Sequence, residues 1–267
     1  MLGFHFDTVS STNDRARALG ALNPTTPVLV TATTQTAGRG RAGRRWHSPR
    51  GGAWFSVSWP SALSVASLKA APLVTGLAVC EAVSHWLDAD QQRALQIKWP
   101  NDVLLGGAKL AGILCQHETS DVEASGPGDD EPANATTKTR LIVGIGINAN
   151  LNDQSMQLDG EARATSLRLA RGRSVDCRAL IEQTVSRLQQ RLTEFEAHGF
   201  SPSLHAAIER RLAWRDQPVL LTQGSTQIEG RIAGITDDGH LTLATTRGVE
   251  TFDAGELGSL RQHCETV

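Results

Sequence analysis

The 267-residue sequence contains no tyrosine and only four lysines, Lys69, Lys98, Lys109 and Lys138, against 22 arginines. The absence of tyrosine excludes a phenolic acid from any catalytic role. The scarcity of lysine makes each one worth locating, and Lys98 and Lys109 fall within one short segment.

The sequence also has few cysteines, and they are scattered. The four cysteines form no Cys-x-x-Cys pair, and no histidine stands at zinc-ligand spacing from them. This pattern excludes the recognisable zinc motifs and predicts reduced, buried thiols.

Long apolar runs and the common nucleotide motifs are missing as well. No stretch approaches the roughly 18 uncharged apolar residues of a membrane helix, and the first residues do not resemble a signal peptide. The formal net charge of −2 argues against a bulk nucleic-acid binder. Neither a Walker P-loop nor a G-x-S-x-G elbow occurs. We therefore expect a cytoplasmic protein that has no membrane partner and no Walker-type phosphate site.

The hydrophobic pattern predicts a mixed α/β domain followed by a small β domain, with domain limits at 1–212 and 213–267. In the first domain we expect helices over 11–20, 67–87 and 176–196, and strands over 28–32, 53–59, 95–99, 103–105, 110–116 and 141–147. In the second we expect strands over 219–222, 228–235, 241–245 and 249–252. Residues 119–139 contain five acids and almost no large apolar side chain, which predicts a mobile surface excursion.

A loop rich in glycine and arginine spans residues 38–52. It formally matches the G-x-G-x-x-G dinucleotide fingerprint, but the following HSPRGG segment cannot continue a helix, and no acid occurs between Asp14 and Glu81. We therefore reject that interpretation. Guanidinium groups on a flexible backbone are suited to clamping an anion beneath a lid. A solvated basic loop and an RNA-contacting loop stay open as alternatives.

The segment from Lys98 to Lys109 is the second candidate. Pro100, Asn101 and Asp102 form a turn between two predicted strands, and a tight hairpin then returns Lys109 towards that turn. The lysines are suited to neutralising an anion, and Asp102 is suited to binding Mg²⁺. The alternative is a pair of surface lysines.

The predicted strand over 141–147 contains Gly144 and Gly146, which indicate close approach by a ligand or by another part of the chain. Asn148 follows directly and offers amide donors and an acceptor for a base or a ribose. A packed strand with a bulge would show the same pattern.

Taken together, four blocks make the sequence resemble the biotin–protein ligase family. They are SSTN at 10–13, QTAGRGRAGRRWHSPRGG at 35–52, KWPNDVLLGGAKLAGIL at 98–114 and VGIGINAN at 143–150. The blocks occur in the family's order, and the resemblance spans nearly the whole chain. It implies a catalytic domain like that of class II aminoacyl-tRNA synthetases, with a mixed sheet, followed by an SH3-like β-barrel.

The resemblance also implies roles for individual residues. Biotin would be bound by Ser11, Thr12, Asn13, Gln35, Arg39, Gly40, Arg41, Lys109, Gly112 and Leu114. ATP would be bound by Arg41, Arg44, Trp46, Lys98, Asn101, Lys109 and Asn148. The implied catalytic residues are Arg39, Arg41 and Lys109, and Asp102 is the implied magnesium ligand.

The implied reaction has two steps: biotin and ATP form biotinyl-5′-AMP, and a lysine of the biotin carboxyl carrier protein then accepts the biotinyl group. Larger family members begin with a DNA-binding domain. Because the SSTN block starts at Ser10, which leaves no room for such a domain, we expect neither DNA binding nor repression. A lipoate or octanoate ligase and a non-enzymatic nucleic-acid module stay open, as do a monomer and a homodimer.

Overall fold

The computed structural model describes residues 1–64, 67–122, 136–156 and 163–260. Its helices are α1 (Thr12–Ala21), α2 (Ala71–Ser84), α3 (Ala89–Arg93), α4 (Leu167–Arg171), α5 (Cys177–His198) and α6 (Pro202–Glu209). The strands of its first sheet are β1 (Leu2–Val9), β2 (Val28–Gln35), β3 (Ala53–Ser61), β4 (Leu95–Lys98), β5 (Asp102–Leu105), β6 (Ala108–Val122) and β7 (Thr136–Ile147). Those of its second sheet are β8 (Pro218–Gln223), β9 (Thr226–Ile235), β10 (Leu241–Thr245), β11 (Gly248–Phe252) and β12 (Glu256–Ser259).

The first sheet is mixed, as predicted. Its strand order is β1-β2-β3-β7-β6-β5-β4, in which only β1 and β2 pair in parallel. Helix α1 packs on one face against β2, β3 and β7, while α2 and α5 pack together against the other face. The strands at the centre are therefore covered on both sides.

Period-two alternation along β3 and β7 separates these two faces. Phe55, Val57 and Ile145 point into the main hydrophobic core with α2 and α5. Ser56 and Gly144 alternate with them and point towards α1, where Ser56 contacts Thr12 and Asn13. The α1 face is thus polar and spacious where the opposite face is apolar and filled.

Helix α2 belongs to the most apolar part of the chain. The stretch Ser67–Ser84 is the one described segment whose length and composition would allow a membrane crossing, and 72% of it is buried inside the protein. It occupies the position of a core helix.

The second sheet is antiparallel, with the order β11-β10-β9-β8-β12. It contains the four strands predicted for the C-terminal β domain and adds β12. Its inner residues Val219, Leu221 and Ile232 join the same core as the first domain, and the indole of Trp99 donates to Gly239 O across the junction at 3.1 Å. The exact domain limits remain a prediction.

Several elements differ from expectation. Strands β1 and β12 and the short helices α3, α4 and α6 were not predicted. Ser11 is the N-cap of α1, as the predicted helix start at residue 11 requires, but its side chain makes no capping hydrogen bond. Gly20 does not end that helix; it is buried where a Cβ would lie 2.1 Å from Ser58 Oγ.

The acidic excursion is shorter than predicted, because β6 continues to Val122 and β7 begins at Thr136. Residues 123–135, which carry most of it, lie outside the described residues.

Candidate active site

The predicted site residues line one cleft on the α1 face of the first sheet. The loop between β2 and β3 partly covers this cleft. It is lined by every residue implied for biotin, nucleotide or magnesium except Lys98, namely Ser11, Thr12, Asn13, Gln35, Arg39, Gly40, Arg41, Arg44, Trp46, Asn101, Asp102, Lys109, Gly112, Leu114 and Asn148. Four sequence blocks that are far apart in the chain therefore converge on one site.

At one end of the cleft, the start of α1 is fastened to the end of β2. Thr12 donates to Gln35 Oε1 from its backbone N–H at 2.8 Å and from its hydroxyl at 3.1 Å. The amide of Gln35 donates in turn to Ser48 Oγ at 2.8 Å. These neutral groups hold Ser11 and Thr12, both nearly fully buried, in a fixed position.

Asn13 lies deeper at the same end. Its Nδ2 donates to Gln116 Oε1 at 3.0 Å and to Leu114 O at 3.3 Å. Gly144 makes room for this side chain, because a Cβ there would lie 2.0 Å from Asn13 Oδ1. We refer to Thr12, Asn13, Gln35, Ser56 and Gln116 as the polar network.

The predicted close approach at Gly146 is also present, and Gly112 shares it. A Cβ at either position would lie within 3 Å of the Trp46 ring, at 2.4 Å for Gly146 and 2.8 Å for Gly112. The indole therefore lies flat on two neighbouring strands, and Lys109 Nζ stands 5.1 Å from its ring centroid. Its Nε1 is buried and has no acceptor among the described residues.

Lys109 and Asp102 form the central ion pair, with Nζ 2.8 Å from Oδ1 and side chains only 19% and 13% exposed. The antiparallel pairing of β5 with β6 produces this meeting, as the predicted hairpin requires. Arg41 donates to Asn101 Oδ1 at 3.3 Å beside it. Burial, reinforced by neighbouring Arg44, lowers the pKa of Arg41 from its ordinary value, which indicates a site that favours a further anion.

Two other arginines of the loop, Arg39 and Arg44, contact acidic residues that the sequence did not single out. Arg39 forms an ion pair with Asp14 on α1. Arg44 forms one with Glu256 on β12, at 2.6 Å, across the two domains.

Lys98 does not line the main cleft. It lies in a small adjoining cleft together with Trp214 and Arg163, and Asp102 and Lys109 are shared between the two clefts. Its ammonium stands 5.4 Å from the Trp214 ring centroid. Burial is the main cause that lowers the pKa of Lys98. Strand β4 is the last strand of the sheet, beyond β5, which explains this placement.

Asn148 is 4% exposed, and its Nδ2 donates to Thr165 O at 3.0 Å and to Lys109 O at 3.3 Å. Its amide donors are thus used within the protein. Of the side-chain groups predicted to bind a ligand, only the acceptor Oδ1 is available.

Comparisons with known proteins identify the family of the chain. Residues 5–125 match the model of the biotin/lipoate A/B protein ligase family, and residues 216–257 match that of the biotin protein ligase C-terminal domain. The biotin–[acetyl-CoA-carboxylase] ligase of Paracoccus denitrificans is 33% identical over 85% of this chain and 88% of its own length. The chain belongs to the biotin–protein ligase family.

Further relatives place the whole chain within biotin–protein ligases. The bifunctional ligase/repressor BirA of Bacillus spizizenii is 30% identical over 94% of this chain and 72% of its own length. The biotin protein ligase from Aquifex aeolicus, solved in complex with biotin and ATP, has 28% identity and a TM-score of 0.74, covering 96% of this chain and 97% of that one. The expected catalytic fold with its C-terminal β domain is confirmed.

Two cysteines of this biotin–protein ligase are unsuited to covalent catalysis. Burial raises the pKa of the Cys80 and Cys115 thiols to about 12, so both are protonated at neutral pH. Together with Cys177 they are free thiols, as predicted, and Cys264 lies outside the described residues.

Sequence reasoning missed four residues of the site: Asp14, Ser56, Gln116 and Glu256. Ser56 had a detectable signal, because two serines alternate with apolar residues in a strand covered on both sides. Glu256 had none, since its partner Arg44 lies more than 200 positions away.

Proposed function

We propose that this protein is an ATP-dependent biotin–[acetyl-CoA-carboxylase] ligase. One observation carries the proposal: a polar network with several donors and acceptors opens, within one cleft, onto a cluster of cations around Lys109. Biotin has a ureido ring at one end and a carboxylate at the other, and the two ends of the cleft match that polarity.

In the first step, an oxygen of the biotin carboxylate attacks the α-phosphorus of ATP, and pyrophosphate leaves. Both reactants are anions, so their repulsion must be offset by fixed positive charge. We assign this role to Lys109, Arg39 and Arg41. We further propose that Asn101 and the Oδ1 of Asn148 contact the nucleotide and that Trp46 covers the junction between the two substrates.

In the second step, the neutral amine of an acceptor lysine attacks the carbonyl carbon of biotinyl-5′-AMP. An amide bond forms, AMP leaves, and the amine gives up a proton. The arginine loop, when closed over the anhydride, would protect it from water.

Magnesium fits this site only in part. Asp102 is already paired with Lys109, and no cluster of three potential metal-ligating side chains occurs within the described ranges. Mg²⁺ commonly retains several waters and binds through phosphates and one or two carboxylates. We therefore propose that magnesium enters as the MgATP substrate, with Asp102 as its candidate protein ligand.

The direct test is to incubate the protein with MgATP and biotin and to look for biotinyl-AMP by mass spectrometry, then to add a biotin carboxyl carrier domain. We expect the adenylate first and a biotinylated lysine afterwards, and neither without ATP. If no adenylate forms while a known ligase makes it under the same conditions, the proposal is wrong.

Lipoate in place of biotin tests for lipoate ligation, since the matching family model covers both biotin and lipoate ligases. The apolar dithiolane ring of lipoate would offer no hydrogen-bonding groups to the polar end of the cleft, which favours biotin. A nucleic-acid module would instead show binding that weakens steeply with salt.

A further inference from the structure

Ser56 is fully buried beneath the polar end of the cleft. It lies on β3, and its Oγ is 2.7 Å from Thr12 Oγ1 and 2.6 Å from Asn13 Oδ1. Ser56 therefore contacts two neighbouring residues of the SSTN block, Thr12 and Asn13, from the strand on which α1 packs.

The number of hydrogens available determines which atoms donate in this contact. A hydroxyl has one hydrogen to donate. Asn13 Oδ1 can only accept, and the Thr12 hydroxyl donates its own hydrogen to Gln35 Oε1. The single hydrogen of Ser56 therefore serves two acceptors, and it fixes which end of the Asn13 amide faces β3.

Gln116 completes the arrangement from β6. Its Oε1 accepts one hydrogen of the Asn13 amide, and Leu114 O accepts the other. Asn13 consequently has no amide hydrogen left for a ligand, which limits its part in binding to holding the neighbouring Thr12 and Ser11 in place. The buried serine and the half-buried glutamine thus set the orientation of the Asn13 amide, and the serine also contacts the Thr12 hydroxyl.

We propose that Ser56 is a specificity-determining positioning residue, which sets the start of α1 to receive a ring carrying N–H and C=O groups. The proposal rests on the proposed function. A site whose buried polar groups are oriented for such a ring rejects one that lacks them, because those groups are then left unpaired.

The test is Ser56→Ala, with dissociation constants for biotin and for desthiobiotin, which keeps the cyclic urea and lacks the sulfur ring, measured by calorimetry. We expect both to rise by the same factor, about tenfold, as for one buried hydrogen bond lost with its acceptors left unpaired. The KM for ATP should stay within twofold.

Ser58→Ala is the matched control. Ser58 is equally buried, two residues along the same strand, and accepts from Arg140 Nε at 3.0 Å away from the cleft. Its loss should lower the melting temperature and leave the biotin dissociation constant within twofold. Equal weakening of biotin by both variants would overturn the proposal.

Unchanged biotin binding in Ser56→Ala, or an equal rise in the KM for ATP, would also overturn it. Should Ser56→Ala not fold, Gln116→Ala tests the same arrangement at a half-buried position; we expect biotin binding at least threefold weaker, and no change would contradict us. Failure of the wild-type protein to bind biotin would instead count against the proposed function.

Discussion

The two ends of the cleft hold their side chains by different physical means. At the polar end, Thr12 and Asn13 are nearly fully buried and fastened by neutral hydrogen bonds to strands β2, β3 and β6. At the other end, Arg39 and Arg44 extend from a loop and pair with Asp14 and Glu256, all with side chains between 39% and 55% exposed.

The difference bears on what each end can do. A buried neutral network is costly to rearrange, because any unpaired group pays its desolvation penalty. Exposed ion pairs contribute little and are screened by salt, so the arginines can exchange a protein carboxylate for a substrate anion at small cost. The polar end is thus suited to selecting a substrate, and the charged end to binding, enclosing and releasing one.

Lys109 lies between the two ends, and its loss should have the largest effect. Lys109→Ala removes a cation from the place where carboxylate and α-phosphate would meet, and we expect biotinyl-AMP formation to fall by about 10²–10³-fold. The rate is measured by pyrophosphate release. Lys69→Ala is the control, since Lys69 is 53% exposed and 3.6 Å from Asp253. Wild-type turnover in Lys109→Ala would refute the assignment.

Arg39→Ala should follow, with a loss of roughly 10²-fold while the protein stays folded. Asp14→Asn makes the comparison sharper, because it removes the partner of Arg39 and leaves the guanidinium free for a ligand. We expect its turnover to stay within about threefold of wild type, as for an exposed pair. If both variants lose activity equally, Arg39 is needed for its contact with Asp14 rather than for a substrate.

The two ends of the cleft differ in how many of their residues could be predicted from the sequence. The family resemblance implied that the motif blocks converge, and the spacing of Gly144 and Gly146, two residues apart in a strand, predicted a close approach on one face of it. Ser56 was missed although it left a signal: Ser56 and Ser58 alternate with apolar residues in a strand that is covered on both sides. The partners Asp14 and Glu256 depend on distant tertiary contacts, which charge alone cannot indicate.

The same limits apply to the fold. Strand β1 lies at the edge of the sheet and is largely exposed, and its alternation is confined to Phe4 and Phe6, too short a pattern to predict a strand. Helices α3 and α4 have five residues each, too few for a helical period to be visible. Lys98 was assigned to the nucleotide with its neighbours; it lies in the adjoining cleft, which shares Asp102 and Lys109 with the main one, and the assignment stays a prediction.

Gly144→Ala tests the rigidity of the polar end directly. The added Cβ would lie 2.0 Å from Asn13 Oδ1, so the amide must move, and we expect biotin to bind about tenfold more weakly, as for overpacking of 1–3 kcal/mol. Gly3→Ala is the control, with nothing within 4 Å of its Cβ. Calorimetry gives both values; unchanged biotin affinity in Gly144→Ala would mean that the network yields easily.

Glu256→Gln should have the smallest effect of these variants. The size of that effect shows whether the C-terminal domain holds the arginine loop in position. The pair with Arg44 is exposed and contributes about 0–1 kcal/mol, so we expect less than a threefold change in the KM for ATP. Because salt screens such a pair, that difference should vanish near 0.5 M salt. A loss of tenfold or more that persists at high salt would instead mean that the C-terminal domain holds the lid in its working position, and the charged end would then be as rigidly built as the polar one.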